Sequence, residues 1–250
     1  MPLRKILKIT IFIVVFIGGF VCYPNKALLY CGMPTHYNLT EQAVRLYNLA
    51  YDPDITTIQL ESILKGSVDE DTPPRYAFHL YDPFYNRAPF DEIGKYVGLL
   101  NVYTAKEWAL NYNVQEWSAV GFASIIYKMF NNDYAYHGNY SWPASINYAL
   151  SGNNEQAFYG LGHILHLIED MSVPAHSRDD HHILGEPYES WVKGIDYNSD
   201  FNVNLAENLY KNKVLPKQLN NLGQAIDEVA IYSNSHFFSK DSVPNTDLGK

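Results

Sequence analysis

Between positions 160 and 192 the chain reads GLGHILHLIEDMSVPAHSRDDHHILGEPYESWV, and His163, His166, Asp170, His176, His181, His182, Glu186 and Glu189 all fall inside that window. Five of the nine histidines of the chain are there. Residues four apart on a helix share a face, so the His166 imidazole and the Asp170 carboxylate point the same way. Pro174 cannot continue a helix. The chain therefore turns after residues 171–173, and His176 can swing back toward the face it has left. An imidazole and a carboxylate on one face, with a third ligand after a sharp break, form the donor set of a zinc or mixed-metal pocket. A lone histidine here would read as a core residue. Several ligand-type groups in the most apolar part of the chain read differently, because burying them without a partner is costly.

The elements that must position these groups are helical. Pro34 and Thr35 read as a helix start with Thr35 as N-cap, and Ala43, Leu46 and Leu49 keep helical spacing, which places His36 in the first turn. Residues 55–65 read as a second short helix stopped by Gly66. Asp69, Glu70 and Asp71 then form an acidic cluster before Pro73 and Pro74, with a solvated loop as its plain reading. His79 lies between Phe78 and Leu80, ahead of the Asp82-Pro83 turn signal, and fits a core histidine or a ligand equally. Helices are expected over 103–113, 114–131, 142–150, 153–171, 188–194 and 218–237, with Trp108, Trp117, Val120, Ile125, Met129, Leu222, Ile226 and Val229 supplying core. His137, in the tyrosine-rich connector at 131–142, reads as surface. No alternating run or Asn-Gly hairpin signal appears. The expected fold class is all-α, a single multi-helix domain.

No linker divides the 250 residues, so one domain is expected over 30–240, followed by a polar tail at 241–250. The composition, 47% hydrophobic with 21 tyrosines, supports a sizeable core. The formal charge of -9 disfavours a nucleic-acid partner. A monomer is expected. Arg4, Lys5 and Lys8 precede an apolar run at 9–23, so residues 1–29 read as a secretory signal peptide or an N-terminal membrane anchor. That run is shorter than the roughly 20 residues a comfortable span needs. Cleavage and anchoring both stay open. Either way the domain is exported, secreted or held at a membrane outside the cytoplasm. Export tolerates a Cys22–Cys31 bond, which a departing signal would preclude.

Taken in order, Thr35-His36, Glu70-Asp71, Phe78-His79 ahead of Tyr81-Asp82-Pro83, residues 162–170, Pro174-Ala175-His176 and Tyr188-Glu189 resemble the motifs of the zinc-dependent phospholipase C family, which shares its fold with single-strand nucleases. The resemblance runs from Thr35 to Trp191 and is most specific at His166, Asp170 and the Pro-Ala-His that follows. It implies an all-α domain holding up to three zinc ions. His79, His166 and Asp170 would bind the first. Asp170 would bridge to a second, held by His36 and a group from the N-terminal segment. His176, a histidine of the His181-His182 pair and Glu189 would bind the third. Asp71 would be ligand or general base for the attacking water, preferred to Asp69 because it follows Glu70 as in the family's acidic pair. The family uses an N-terminal tryptophan as ligand; here no tryptophan precedes Trp108, and Tyr30 is the nearest aromatic substitute. Gly185 occupies the place of the family's histidine four before the glutamate, so His182, nearer the Glu189 helix, is preferred to His181. Tyr76 would contact the lipid headgroup, although Thr72 stands where a tyrosine is expected after Asp71.

A phosphodiester is anionic and resists neutral water. Metal ions lower the pKa of bound water from about 15.7 toward about 7 and neutralise the phosphoryl oxygens. Three zinc ions against Asp71, Asp170 and Glu189 leave a formal excess of roughly +3, enough to draw phosphate into an acidic protein. The expected activity is phospholipase C-type hydrolysis of glycerophospholipids, with a phospholipid or membrane surface as partner. A single-strand nuclease or general phosphodiesterase on the same scaffold is the alternative, and so is a catalytically silent, zinc-holding anchored domain.

Overall fold

The computed structural model describes residues 35–72, 75–87, 103–115, 138–178, 180, 187–192, 194–199 and 203–237. The helices are α1 (Tyr37–Ala50), α2 (Thr57–Asp69), α3 (Ala105–Leu110), α4 (Trp142–Leu150), α5 (Asn154–Asp170), α6 (Pro187–Val192), α7 (Leu205–Lys211) and α8 (Leu222–His236). Short 3-10 turns at Arg75–Phe78, Tyr112–Gln115 and His176–Arg178 connect them. Among the described residues, β structure is confined to one bridge between Asp82 and Arg87. The fold is all-α, as the patterning implies. The segments 1–29 and 241–250 lie outside the described residues. Among those described, no helix is long and apolar enough to cross a membrane.

α5 is the axis of the fold. The Asn153 side chain caps it by accepting a hydrogen bond from the Gln156 backbone N–H. One side of α5 buries Ile164 and Leu167 in a core with Phe78, Tyr81, Trp108, Met171, Ile226 and Ala230. Another carries His166 and Asp170. On either side of Pro174, Val173 and Ala175 pack on Val192 of α6, and the Tyr81 backbone N–H donates to the His176 carbonyl at 2.9 Å, tying the His79 loop to the His176 turn.

α2 starts in a capping box, Thr56 and Gln59 each bonding the other's backbone N–H. It does not stop at Gly66 but runs on to Asp69. The reason is packing. A Cβ on Gly66 would lie 2.0 Å from the Tyr159 carbonyl oxygen, and one on Gly162 would lie 2.0 Å from the Ile63 carbonyl oxygen. These two glycines let the α2 and α5 backbones touch, which offsets the helix cost of glycine, about 1 kcal/mol. The acids after α2 are therefore not a solvated loop: Glu70 is fully buried.

Other boundaries also moved. α1 begins at Tyr37, with His36 rather than Thr35 at the cap position; the Thr35 hydroxyl instead pairs with that of Tyr197 at 2.9 Å. The helix expected over 103–113 ends at Leu110 and the chain re-coils at Tyr112–Gln115. α7 packs on α1, where Arg45 pairs with Glu207 at 2.5 Å.

Candidate metal centre

Four imidazoles from four places in the chain turn on one carboxylate. His166 comes from the middle of α5 and Asp170 from its last turn; His36 precedes α1, His79 follows the Arg75–Phe78 turn, and His176 opens the turn after the Pro174 break. His79 Nδ1 stands 2.9 Å and His166 Nε2 3.3 Å from Asp170 Oδ2. His176 Nδ1 stands 3.2 Å and His36 Nε2 3.5 Å from Asp170 Oδ1. Asp71, two residues past α2, places Oδ1 3.5 Å from His166 Nε2 and 3.7 Å from His79 Nδ1. The four histidines and Asp170 are buried to within 1% exposure, and the Asp71 side chain is 18% exposed.

These spacings fit a shared cation. Two donors on a tetrahedral zinc with bonds of 2.0–2.2 Å lie about 3.4 Å apart. Neither oxygen of Asp170, nor Oδ2 of Asp71, has a hydrogen bond of normal geometry among the described residues, although all are buried. Buried carboxylate oxygens rarely go unsatisfied, and a metal ion is one way to satisfy them. The far side of two rings is fixed as well. His166 Nδ1 donates to the Ser67 carbonyl at 2.6 Å, and His36 Nδ1 donates to Glu169 Oε2 at 2.7 Å. That leaves Nε2 of each ring facing the carboxylate as the ligand atom. His36, His166 and Asp170 form one group able to hold an ion, and Asp71, His79 and His166 form another. A single Nε2 serves one ion, so His166 belongs to one site. The two oxygens of Asp170 face different imidazole pairs, so this one carboxylate could serve two ions.

The electrostatics call for positive charge. Asp170 and the Glu70-Asp71 pair lie at the C-terminal ends of α5 and α2, where the helix dipole disfavours acids. Burial opposes ionisation of Asp170, yet His176, His166 and His79 together hold it well below the usual carboxylate range. Burial raises Asp71, only partly opposed by His166, His36 and His79. Burial pulls His36 down, but Asp170 and Glu169 outweigh it and raise the imidazole to about 10. His79, likewise against burial, is raised to about 9 by Asp170 and Glu70.

In the metal-free protein both rings thus carry protons near neutrality. A folded value raised above 6.5 contributes stability that is fully present below about pH 6.5 and is lost as the pH rises through 9 to 10. The melting temperature of the chelated protein is therefore expected to fall between about pH 7 and about pH 10. Zinc added near pH 7 is expected to release roughly two protons per protein, measurable with an indicator dye in weak buffer. No release would count against these rings as ligands.

Of the residues singled out from the sequence, His36, Asp71, His79, His166, Asp170 and His176 come together. Asp69 turns away, pairing with Lys65 and accepting from the Tyr159 hydroxyl at 2.6 Å. His176 faces Asp170 itself, whereas the resemblance assigns it to a separate ion with His182 and Glu189; the tight turn after Pro174 folds it straight back onto the helix end. His181, His182, Glu186 and the Glu189 side chain lie outside the described residues. Tyr76 is half-buried in the turn before His79, and burial raises its phenol.

Glu70 and His163, named in the sequence without a role, lie behind the centre. Glu70 accepts from Arg75 Nε at 2.6 Å and from Trp108 Nε1 at 2.8 Å, also contacts His163 Nδ1, and stands 3.6 Å from His79 Nε2. Arg75 donates onward to Gln115 at 3.1 Å. His163, stacked on Tyr140 with ring centroids 4.4 Å apart, is pushed down to about 4 by burial and by Arg75. It is a neutral member of this buried network and not of the metal centre. A glutamate beside each candidate aspartate was the available signal; its partner histidine could not be read from spacing.

No family model and no curated protein matches the chain. Among solved structures it is similar to the alpha toxin from Clostridium absonum, at 15% identity and a TM-score of 0.48, over 82% of this chain and 54% of that one. The chain thus spans about half the length of that toxin, and a likeness of this degree transfers no residue roles.

Proposed function

We propose that the chain is a zinc-dependent phosphodiesterase of phospholipase C type that hydrolyses glycerophospholipids. The observation supporting this most is the convergence of four imidazole nitrogens on the two oxygens of one buried carboxylate, with a second carboxylate, Asp71, against two of them. His79, His166 and Asp71 with Asp170 Oδ2, and His36 and His176 with Asp170 Oδ1, are the groups that would hold zinc. His182 and Glu189 would add a further site. When bound, zinc supplies a water of lowered pKa and positive charge for the phosphoryl oxygens.

The residues of the chain do the rest. Neutral imidazoles orient the centre without cancelling its charge, which suits an anionic substrate. Asp71, with Oδ2 unengaged and its carboxyl raised by burial, acts as ligand or takes the proton of the attacking water. The buried rings and the core beneath them keep bulk water from one side. Tyr76 offers an aromatic face to a cationic headgroup. The water oxygen would bond to phosphorus as the bond between phosphorus and the diacylglycerol oxygen breaks, so that diacylglycerol leaves as its alcohol, taking up a proton, and the phosphorylated headgroup is the other product. The protein would act as an exported monomer, secreted or anchored by its N-terminal segment, at a phospholipid surface.

The test is hydrolysis by the purified full-length protein of mixed phosphatidylcholine and phosphatidylethanolamine vesicles, with single-stranded DNA in parallel. Release of phosphorylated headgroup, abolished by a chelator and restored by Zn²⁺, is the expected result. Cleavage of DNA alone would replace the lipase by a nuclease. Bound zinc without hydrolysis of either would replace it by a silent zinc-holding domain.

A further inference from the structure

Two Glu-Asp pairs end the two helices that carry the centre: Glu70-Asp71 after α2, and Glu169-Asp170 in the last turn of α5. In each pair the aspartate faces the imidazoles. In each, the glutamate faces the back of a histidine from another part of the chain. Glu169 Oε2 is 2.7 Å from His36 Nδ1, and Glu70 Oε1 is 3.6 Å from His79 Nε2.

The Glu169 carboxylate is held in its own right. The Thr40 hydroxyl donates to Oε1 at 2.7 Å and lies 2.9 Å from the Ser67 hydroxyl. The Ser67 carbonyl in turn takes the Nδ1–H of His166 at 2.6 Å. Thr40 and Ser67 are fully buried. A chain of hydrogen bonds across α1, α5 and α2 thus runs behind His36 and His166, whose rings stack 3.7 Å apart at 18°.

We infer that Glu169 is a positioning residue, which accepts the Nδ1–H of His36 and so fixes Nε2 of that ring as the ligand atom beside the Asp170 carboxylate. An imidazole can present either nitrogen, and a carboxylate behind Nδ1 removes the unproductive orientation and makes Nε2 a better donor. Thr40 makes the restraint stiff by locking the carboxylate. The inference rests on the metal-binding reading of the centre.

The test is Zn²⁺ affinity of the full-length protein, measured by competition with a chromophoric chelator. Glu169→Ala is expected to weaken zinc binding about 10- to 100-fold, the range for loss of a group that orients a ligand. Glu169→Gln keeps an oxygen able to accept the same Nδ1–H and is expected to recover most of that loss. Thr40→Val, which frees the carboxylate but leaves it in place, is expected to fall between wild type and Glu169→Ala. Glu169→Ala binding zinc as tightly as wild type would overturn the inference, and so would Glu169→Gln binding as weakly as Glu169→Ala. A wild-type protein that binds no zinc would overturn the metal reading and this inference with it.

Discussion

Asp170→Asn is expected to empty the centre: bound zinc should fall by at least one ion per protein, and hydrolysis should drop by more than the roughly 100-fold that follows loss of an orienting group. Among the described residues Asp170 alone faces all four imidazoles, His36 and His176 through Oδ1, His79 and His166 through Oδ2. Asparagine keeps the volume but turns one oxygen into an NH₂ group, which cannot ligate a cation. Whichever way the amide settles, one imidazole pair loses its shared acid. The charge is lost as well, at a helix C-terminus already surrounded by hydrogen-bond donors. Asp69→Asn is the internal control. Asp69 lies two residues from Asp71 but pairs with Lys65 and Tyr159, so its loss should leave zinc content unchanged. Metal analysis after exhaustive dialysis reads both variants. Full zinc content and activity in Asp170→Asn would remove the bridge from this account.

Gly162→Ala should have the largest effect on stability, about 3 kcal/mol, at the upper end of the range for overpacking. The added methyl would sit 2.0 Å from the Ile63 carbonyl oxygen and 2.7 Å from the Ser67 backbone nitrogen. Both are backbone atoms of α2, so no side chain can swing aside and the helices must part. The displaced stretch includes Ser67, whose carbonyl anchors His166, and leads into Glu70 and Asp71. Weakened zinc binding should therefore accompany the lower urea midpoint of the metal-free protein. Wild-type stability in this variant would show that α2 and α5 can separate at little cost.

Part of this centre is legible one residue at a time. The four-residue step from His166 to Asp170, Pro174 after it and His176 beyond are local features, and helical geometry turns them into one face and one return. The same holds for the all-α class, because no stretch alternates in a way that would bury one side of a strand. Phe78 and Leu80 beside His79 fit a ligand and a core residue alike; its ring meets Asp170 only because residues 79–81 lie against the end of α5 and the turn after it. Gly66 read as a stop, since spacing cannot distinguish a glycine that ends a helix from one that another backbone touches.

What the sequence determined by itself is a set of donors, the helix face carrying two of them and the break that returns a third. What only the tertiary structure decided is which acids turn inward. Asp71 faces the imidazoles while Asp69 does not, and Asp170 lies among four rings while Glu169 stands behind one. The physical reason is one of range. Periodicity relates residues within a turn or two of one helix, but His36 and Glu169 are 133 positions apart and His166 and Ser67 are 99. Their meeting depends on how closely α2 and α5 approach, and that is set by two glycines and the atoms they leave room for.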